Sequence, residues 1–182
     1  MKKDPLYFIA VLPPEALQRE VTAIKQQIAQ RWGVQHALKS PPHLTLQPPF
    51  AWPDSKLGAL KESLRKLAAA QTPFQVDLKH FGAFPPRVIY ISPVANEALA
   101  RLFQALIRQL EHDLGFSDPR NRRPLRPHMT IAHRDLREED FPEIWAFFKE
   151  RTFERRFEVK ALALLNHIQG KWVVDTTFPF AL

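Results

Sequence analysis

Hydrophobic residues along the chain switch between two periods. In four stretches they recur every three or four positions, the spacing that lines one face of a helix. Leu17, Val21, Ile24 and Ile28 form the first stripe, entered through Pro13-Pro14. Leu57, Leu60, Leu64 and Leu67 form the second, with Asp54 or Ser55 available to cap it. The third and longest runs through Leu99, Leu102, Phe103, Leu106, Leu110 and Leu114, and Gly115 ends it. Phe141, Ile144, Trp145 and Phe148 form the fourth, behind an acidic Glu138-Glu139-Asp140 turn that suits the positive end of a helix. Between the stripes lie segments rich in β-branched and aromatic residues, which predict strands over residues 6–12, 43–47, 74–84, 88–94, 128–133, 157–166 and 172–178. Pro48-Pro49, Pro85-Pro86, Pro119 and Pro124 punctuate the connections.

Laid end to end, this order repeats. Strand, helix, strand, helix, strand covers a first unit of about residues 5–85, and the same order covers a second of about 86–168. A last strand, within residues 171–180, is left over and is expected to return to the first unit's sheet. A pseudo-twofold relation between the units would bring their second strands together in a central groove. Those two strands carry the most distinctive residues of the chain.

They read Pro42-His43-Leu44-Thr45-Leu46 and Pro127-His128-Met129-Thr130-Ile131. Side chains two apart on a strand share a face, so His43 stands beside Thr45 and His128 beside Thr130, with the apolar residues on the other face. An imidazole takes or gives a proton near neutrality, and a hydroxyl donates to an oxyanion. Two such units facing one pocket make an acid–base device for phosphoester chemistry. The alternative is a pair of ordinary strands whose His and Thr face solvent.

Composition narrows the field. At 182 residues and 45% apolar, the chain can bury a real interior. Cysteine is absent, which removes disulfides, thiolate metal sites and a cysteine nucleophile and is compatible with a cytoplasmic location. The five glycines form no phosphate-cradling loop, there is no run long enough for a membrane span, and Asp4, Pro5 and Pro13 interrupt any signal-peptide reading. The formal charge is +7, concentrated in Arg120-Asn121-Arg122-Arg123-Pro124-Leu125-Arg126, which runs into the second His motif. A basic loop there suits a polyanion such as RNA, or else is a solvated loop. Tyr7, Phe8, Phe50, Phe84 and Tyr90 are near the same strands and are candidates to stack on a base, though most aromatics so placed are core. His36, His80, His112 and His167 lack a partner motif and read as surface or interior.

PPHLTLQPPF and RPHMTIAHRD resemble the paired HxTx motifs of the two-histidine (2H) phosphoesterase superfamily, known from the 2′-5′ RNA ligases, also called RNA 2′,3′-cyclic phosphodiesterases. The resemblance covers nearly the whole chain: LYFIAVLPP is similar to the family's opening strand, HFGAFPPRVIYISP to its crossover and LALLNHIQGKWVVDTTFPF to its closing hairpin. It implies an α+β, bilobal fold with pseudo-twofold symmetry, two antiparallel sheets flanking a central cleft and helices outside. It also implies a single catalytic domain without metal or cofactor, acting as a monomer on RNA or a nucleotide with a cyclic phosphate. His43 and His128 would be general acid and base, in an order the sequence leaves open. Thr45 and Thr130 would bind phosphate oxygens. Arg126, Arg134, Phe8 and Tyr90 are further candidates for substrate binding. Many members carry an arginine five residues after the second motif's histidine. Here His133 stands there and Arg134 follows, with an ion pair to Asp135 or Glu138 as Arg134's alternative employment.

The implied reaction, opening a cyclic phosphate to a 2′-phosphate or its reversal as ligation, needs a base and an acid on opposite sides of phosphorus. Three rivals remain at this point. A metal hydrolase lacks its usual His/Asp spacing or HExxH in this chain. The others are a non-catalytic RNA-binding module and a phosphodiesterase of small cyclic nucleotides or 2′-5′ oligonucleotides.

Overall fold

The structure is a computed structural model that describes residues 4–181. Its elements run β1 (Leu6–Val11), α1 (Glu15–Trp32), β2 (Leu44–Ala51), α2 (Leu57–Ala69), β3 (Phe74–Phe84), β4 (Val88–Pro93), α3 (Glu97–Leu114), β5 (Met129–Ala132), α4 (Phe141–Phe148), β6 (Glu154–Val159), β7 (Ala161–Ile168) and β8 (Lys171–Pro179). The strands form two antiparallel sheets of four, ordered β2-β1-β7-β8 and β5-β4-β3-β6. Each motif strand, β2 or β5, is therefore the edge of its sheet, hydrogen-bonded on one side only.

The sheets do not follow the sequence division near residue 85. β3 lies in the second sheet, and β7 lies in the first. The reason is local. A turn of three residues joins β3 to β4, so Phe84 pairs with Val88 and the hairpin zips from there. The other edge of β3 pairs with β6, so neither edge is left for β1. The place beside β1 is filled by β7, with Phe8 opposite Leu165 and Ile9 opposite Leu164. β8 follows β7 through a turn at Gly170, whose φ of 80° suits glycine, and completes the first sheet.

The expected single strand over residues 157–166 is likewise two strands. β6 pairs with β3, the chain leaves the second sheet at Lys160, and β7 enters the first. Periodicity runs through this change of partner because a strand's side chains alternate whichever neighbour it has. What alters is burial: Leu162 to Leu165 are consecutively buried, since β7 is covered on both faces. Leu162 and Leu164 join the main core, whereas Ala163 and Leu165 join Phe8 and Ala10 in a small cluster on the other face.

Two further expectations need correcting. Pro48-Pro49 does not end β2, which continues to Ala51; an edge strand has unpaired N–H positions to give up, and proline fits there. Neither Asp54 nor Ser55 caps α2 with its side chain. Residues 54–56 form a short 3₁₀ turn that leads into the helix through the Asp54 carbonyl.

The helices cross between halves. α1 packs on β5, α3 packs on β2, and α2 packs on both α3 and β8. Leu44 and Leu46 of β2 and Met129 and Ile131 of β5 point into this shared core, each at most 1% exposed. Their neighbours His43, Thr45, His128 and Thr130 are thereby turned the other way, into the cleft.

Candidate active site

Each motif histidine sits one residue before its strand, at the point where proline has straightened the chain. His43 Nδ1 lies 2.6 Å from the Pro41 carbonyl oxygen, and His128 Nδ1 lies 2.8 Å from the Arg126 carbonyl oxygen. A carbonyl only accepts, so in both rings Nδ1 carries the proton that is donated. The neutral ring then leaves its Nε2 lone pair free. The sequence thus builds the same tautomer twice with the same two-residue step back.

His43, Thr45, His128 and Thr130 line one cleft of about 180 Å³. Its other walls are Phe8, Pro49 and Trp172, the 36–40 loop through His36, Ala37, Lys39 and Ser40, and His133 with Arg134. A wider groove of about 800 Å³ lies between α1 and the start of β6, but none of the motif residues reaches it. Among the described residues, no three His, Cys, Asp or Glu side chains gather as a metal-holding group.

The two histidines differ in their surroundings. His43 packs on Phe8, ring centroids 4.7 Å apart, and Phe8 packs in turn on Trp172 at 4.7 Å. Burial is the first cause that pushes its pKa down, to about 4, against the pull of the Pro41 carbonyl; the positive charges of Lys25, His128 and His133 push the same way. His128 is more open and touches Tyr90 at 5.5 Å and Phe84 at 5.2 Å. The strand partners also differ, for Thr45 faces Ala10 in register while Thr130 faces Tyr90. Gly82 makes room for that tyrosine. A Cβ there would lie 2.5 Å from one Tyr90 ring carbon.

The other predicted residues divide. Phe8 is a wall of the cleft, 3% exposed, and Tyr90 stands against His128. Tyr7 and Phe50 are core. Arg134 lines the cleft and, among the described residues, makes no ion pair, because Glu138 binds Arg87 and Asp135 binds backbone. Arg126 contributes its carbonyl to His128, and its side chain is exposed outside the cleft lining. Arg120 is committed to partners within the protein. It binds Asp118 and the Pro49 carbonyl, while Gln47 joins Asp118 and Asn121 in a buried network that ties this basic loop to β2.

Sequence reasoning missed Lys25, His36, Lys39 and Trp172. Lys25 is 2% exposed, and its ammonium donates to the carbonyls of Ala37 and Ser40 at 3.0 and 3.1 Å. Burial lowers its pKa to about 8. It pins the loop whose next residue orients His43. The available signal was position, since residues 36–40 precede the first motif as the basic loop precedes the second.

Residues 13–171 match the family model described as the 2′-5′ RNA ligase superfamily. A relative from Oceanobacillus iheyensis, named "Putative phosphoesterase", is 29% identical over 94% of this chain and 96% of its own. One of the same name from Geobacillus sp. (strain WCH70) is 30% identical over 94% of each. In fold the chain is similar to the Thermus thermophilus protein TT0787, with a TM-score of 0.71 at 24% identity over 96% of this chain and 97% of that one. E. coli LigT crystallised with 3′-AMP has a TM-score of 0.68 at 18% identity over the whole of both chains. With the duplicated frame, the two antiparallel sheets and these matches together, the chain belongs to the 2′-5′ RNA ligase superfamily of two-histidine phosphoesterases.

Proposed function

We propose that this protein is a phosphodiesterase that opens 2′,3′-cyclic phosphate ends of RNA to 2′-phosphates, with His43 as general base and His128 as general acid. The observation that carries the reading is the pair of backbone-locked imidazoles, both with Nε2 unengaged by protein among the described residues, on one cleft with two threonine hydroxyls. In this scheme a water attacks phosphorus in line with O3′. His43 Nε2 takes the water's proton, the P–O3′ bond breaks, and His128, which enters this step as the imidazolium, gives its Nε2 proton to O3′. Exchange with solvent then restores both rings. Thr45 and Thr130 donate to the non-bridging oxygens as charge builds on them. Burial keeps His43 uncharged at neutral pH, the state a base needs, and His128 on the opposite side takes the acid's part. With the 5′ hydroxyl of a second RNA end attacking in place of water, the same proton transfers and the same P–O3′ cleavage give a 2′-5′ phosphodiester, which is the ligation direction.

Similarity supports this reading from two sides. The relatives are named as phosphoesterases, and LigT of like fold was crystallised with a nucleoside phosphate.

The test is to give chelator-treated protein an RNA ending in 2′,3′-cyclic phosphate, beside His43→Ala and His128→Ala. Opening to a 2′-phosphate, slowed about 10²–10⁴-fold in each variant, is expected. Activity abolished by the chelator, or tight RNA binding with no turnover by the wild type, overturns the proposal.

A further inference from the structure

One end of the cleft holds groups that this reaction does not use. His36, at the start of the 36–40 loop, meets His133, just past β5, edge to face with ring centroids 5.0 Å apart. Both rings are half-buried and line the same cleft as His43 and His128. Among the described residues, histidine rings that hydrogen-bond to protein are those of His43, His112 and His128, so this pair has its ring nitrogens free. The charges around it are nearly all of one sign. The charges of Lys39 and Arg134 bear on His36, and those of Lys25 and Arg134 on His133. Desolvation and these cations depress both rings, His133 to about 4. Asp135 is the acid nearby, and it is already engaged: its Oδ2 accepts from the backbone N–H groups of Gln35 and His36, 2.8 Å each.

Such a place lacks one thing, an anion. Two cationic side chains and two imidazoles with unengaged ring nitrogens, each able to donate an N–H, match the oxygens of a phosphate, whose charge favours the protonated rings. The scissile phosphate already has its own four residues. The nearest second phosphate that a nucleotide can bring is one ribose away, on the 5′ oxygen of the same nucleoside.

We infer that His36, Lys39, His133 and Arg134 form a second phosphate subsite, which holds the 5′-phosphate of the nucleoside whose cyclic phosphate lies between His43 and His128. The inference rests on the cyclic phosphodiesterase reading above and narrows its substrate class. Molecules with a phosphate on each side of one ribose are preferred over simple nucleoside cyclic phosphates. In RNA that second phosphate is the last internucleotide diester; in a free nucleotide it is a terminal monoester.

The experiment has a binding arm and a turnover arm. Calorimetry on the wild type compares adenosine 2′-phosphate with adenosine 2′,5′-bisphosphate. The bisphosphate is expected to bind about tenfold tighter or more, the gain typical of a charge-assisted contact. That ratio should collapse toward one in His36→Gln/His133→Gln and shrink in Lys39→Gln, an exposed change that keeps the test alive should the double variant fold poorly. Equal affinities in the wild type, or a ratio untouched by both variants, overturn the subsite.

Turnover is measured as kcat/KM on adenosine 2′,3′-cyclic phosphate, its 5′-phosphorylated form and the dinucleotide ending in the same cyclic phosphate. A gain shared by the last two supports a subsite that takes the RNA diester, and a gain for the monoester alone supports one that takes a free nucleotide. No gain for either overturns it. Should none of the three be opened while the binding ratio persists, the phosphodiesterase reading falls and the subsite stands.

Discussion

The two halves of the cleft carry one motif in two settings. His43 and His128 follow a proline, bond back to a carbonyl two residues earlier, and share a face with a threonine. In the first half, Phe8 covers the ring with Trp172 packed behind it, Ala10 leaves depth beside Thr45, and the charge of buried Lys25 bears on His43. In the second half, Tyr90 fills the place opposite Thr130, and His128 stands more open beside it. Backbone geometry has been duplicated faithfully and side-chain environment has not. The proposed division into acid and base rests on that combination: identical aim, unequal surroundings.

The sharpest way to break this comparison is to remove the need for the acid. A phosphodiester with a 4-nitrophenolate leaving group departs without a proton. With this substrate the deficit of His128→Ala should shrink from about 10²–10⁴-fold to under about tenfold, while that of His43→Ala persists. Equal deficits on both substrates erase the assigned asymmetry, and the opposite pattern reverses it.

The next effect is on stability. His43 and His133 each bind a proton near pH 4, whereas the unfolded chain binds it near the ordinary 6.5. Their contribution is therefore complete above pH 6.5 and is lost as pH falls toward 4. Each loses on the order of 2–3 kcal/mol across that window. Asp118, depressed from 3.8 to about 2 chiefly by its hydrogen bonds from Arg120, keeps its contribution through this window and loses it only as pH falls from 3.8 toward 2. Urea midpoints at pH 7 and pH 4.5 should thus differ strongly in the wild type and markedly less in His43→Gln. A wild-type midpoint that is flat over this range contradicts the buried, uncharged histidine.

Much of this was legible in the sequence. The helical stripes were, because Leu17, Val21 and Ile28 or Leu102, Leu106 and Leu110 are buried at the spacing that the stripe requires. The four motif residues were legible for the same reason, since Leu44, Leu46, Met129 and Ile131 reveal which face is core. Strand partners were not. Nothing local tells β3 from a strand that pairs with β1, because a strand's pattern records its faces and says nothing of its edges. Lys25 was hidden differently. It sits among apolar stripe positions of α1, where a lysine reads as surface, and its acceptors are backbone carbonyls that no sequence displays.

Lys25 and Gly82 offer smaller tests, one in each half. Lys25→Met unpins the 36–40 loop and removes a positive charge that bears on His43. Activity should fall about tenfold through displaced geometry. The acid limb of kcat/KM should move to higher pH, since less charge opposes protonation. A lower activity with an unmoved limb leaves Lys25 a purely structural role. In the second half, Gly82→Ala drives the Tyr90 ring, 2.5 Å from the added carbon, against its neighbours. Because the ring's far end can swing, the expected cost is only about 1–2 kcal/mol, read as a lower urea midpoint. kcat should fall with it as the ring presses on His128. In the first half the place of Tyr90 opposite the motif threonine is held by Ala10, which has no ring to move.

The smallest effect belongs to Arg126. Its carbonyl orients His128, but any residue supplies a carbonyl, and its guanidinium points outside the cleft lining. Arg134, by contrast, stands in the cleft with no ion pair among the described residues. Arg126→Ala should therefore change kcat/KM on a mononucleotide cyclic phosphate by less than about twofold. On a longer RNA the change should be modest and should fade as salt is raised, because an exposed charge acts over about one Debye length. Arg134→Ala should reduce kcat/KM on both substrates and at high salt as well. Measured side by side, the two arginines separate a charge that steers from one that touches, and a salt-resistant loss at Arg126 would move it into the second half of the cleft.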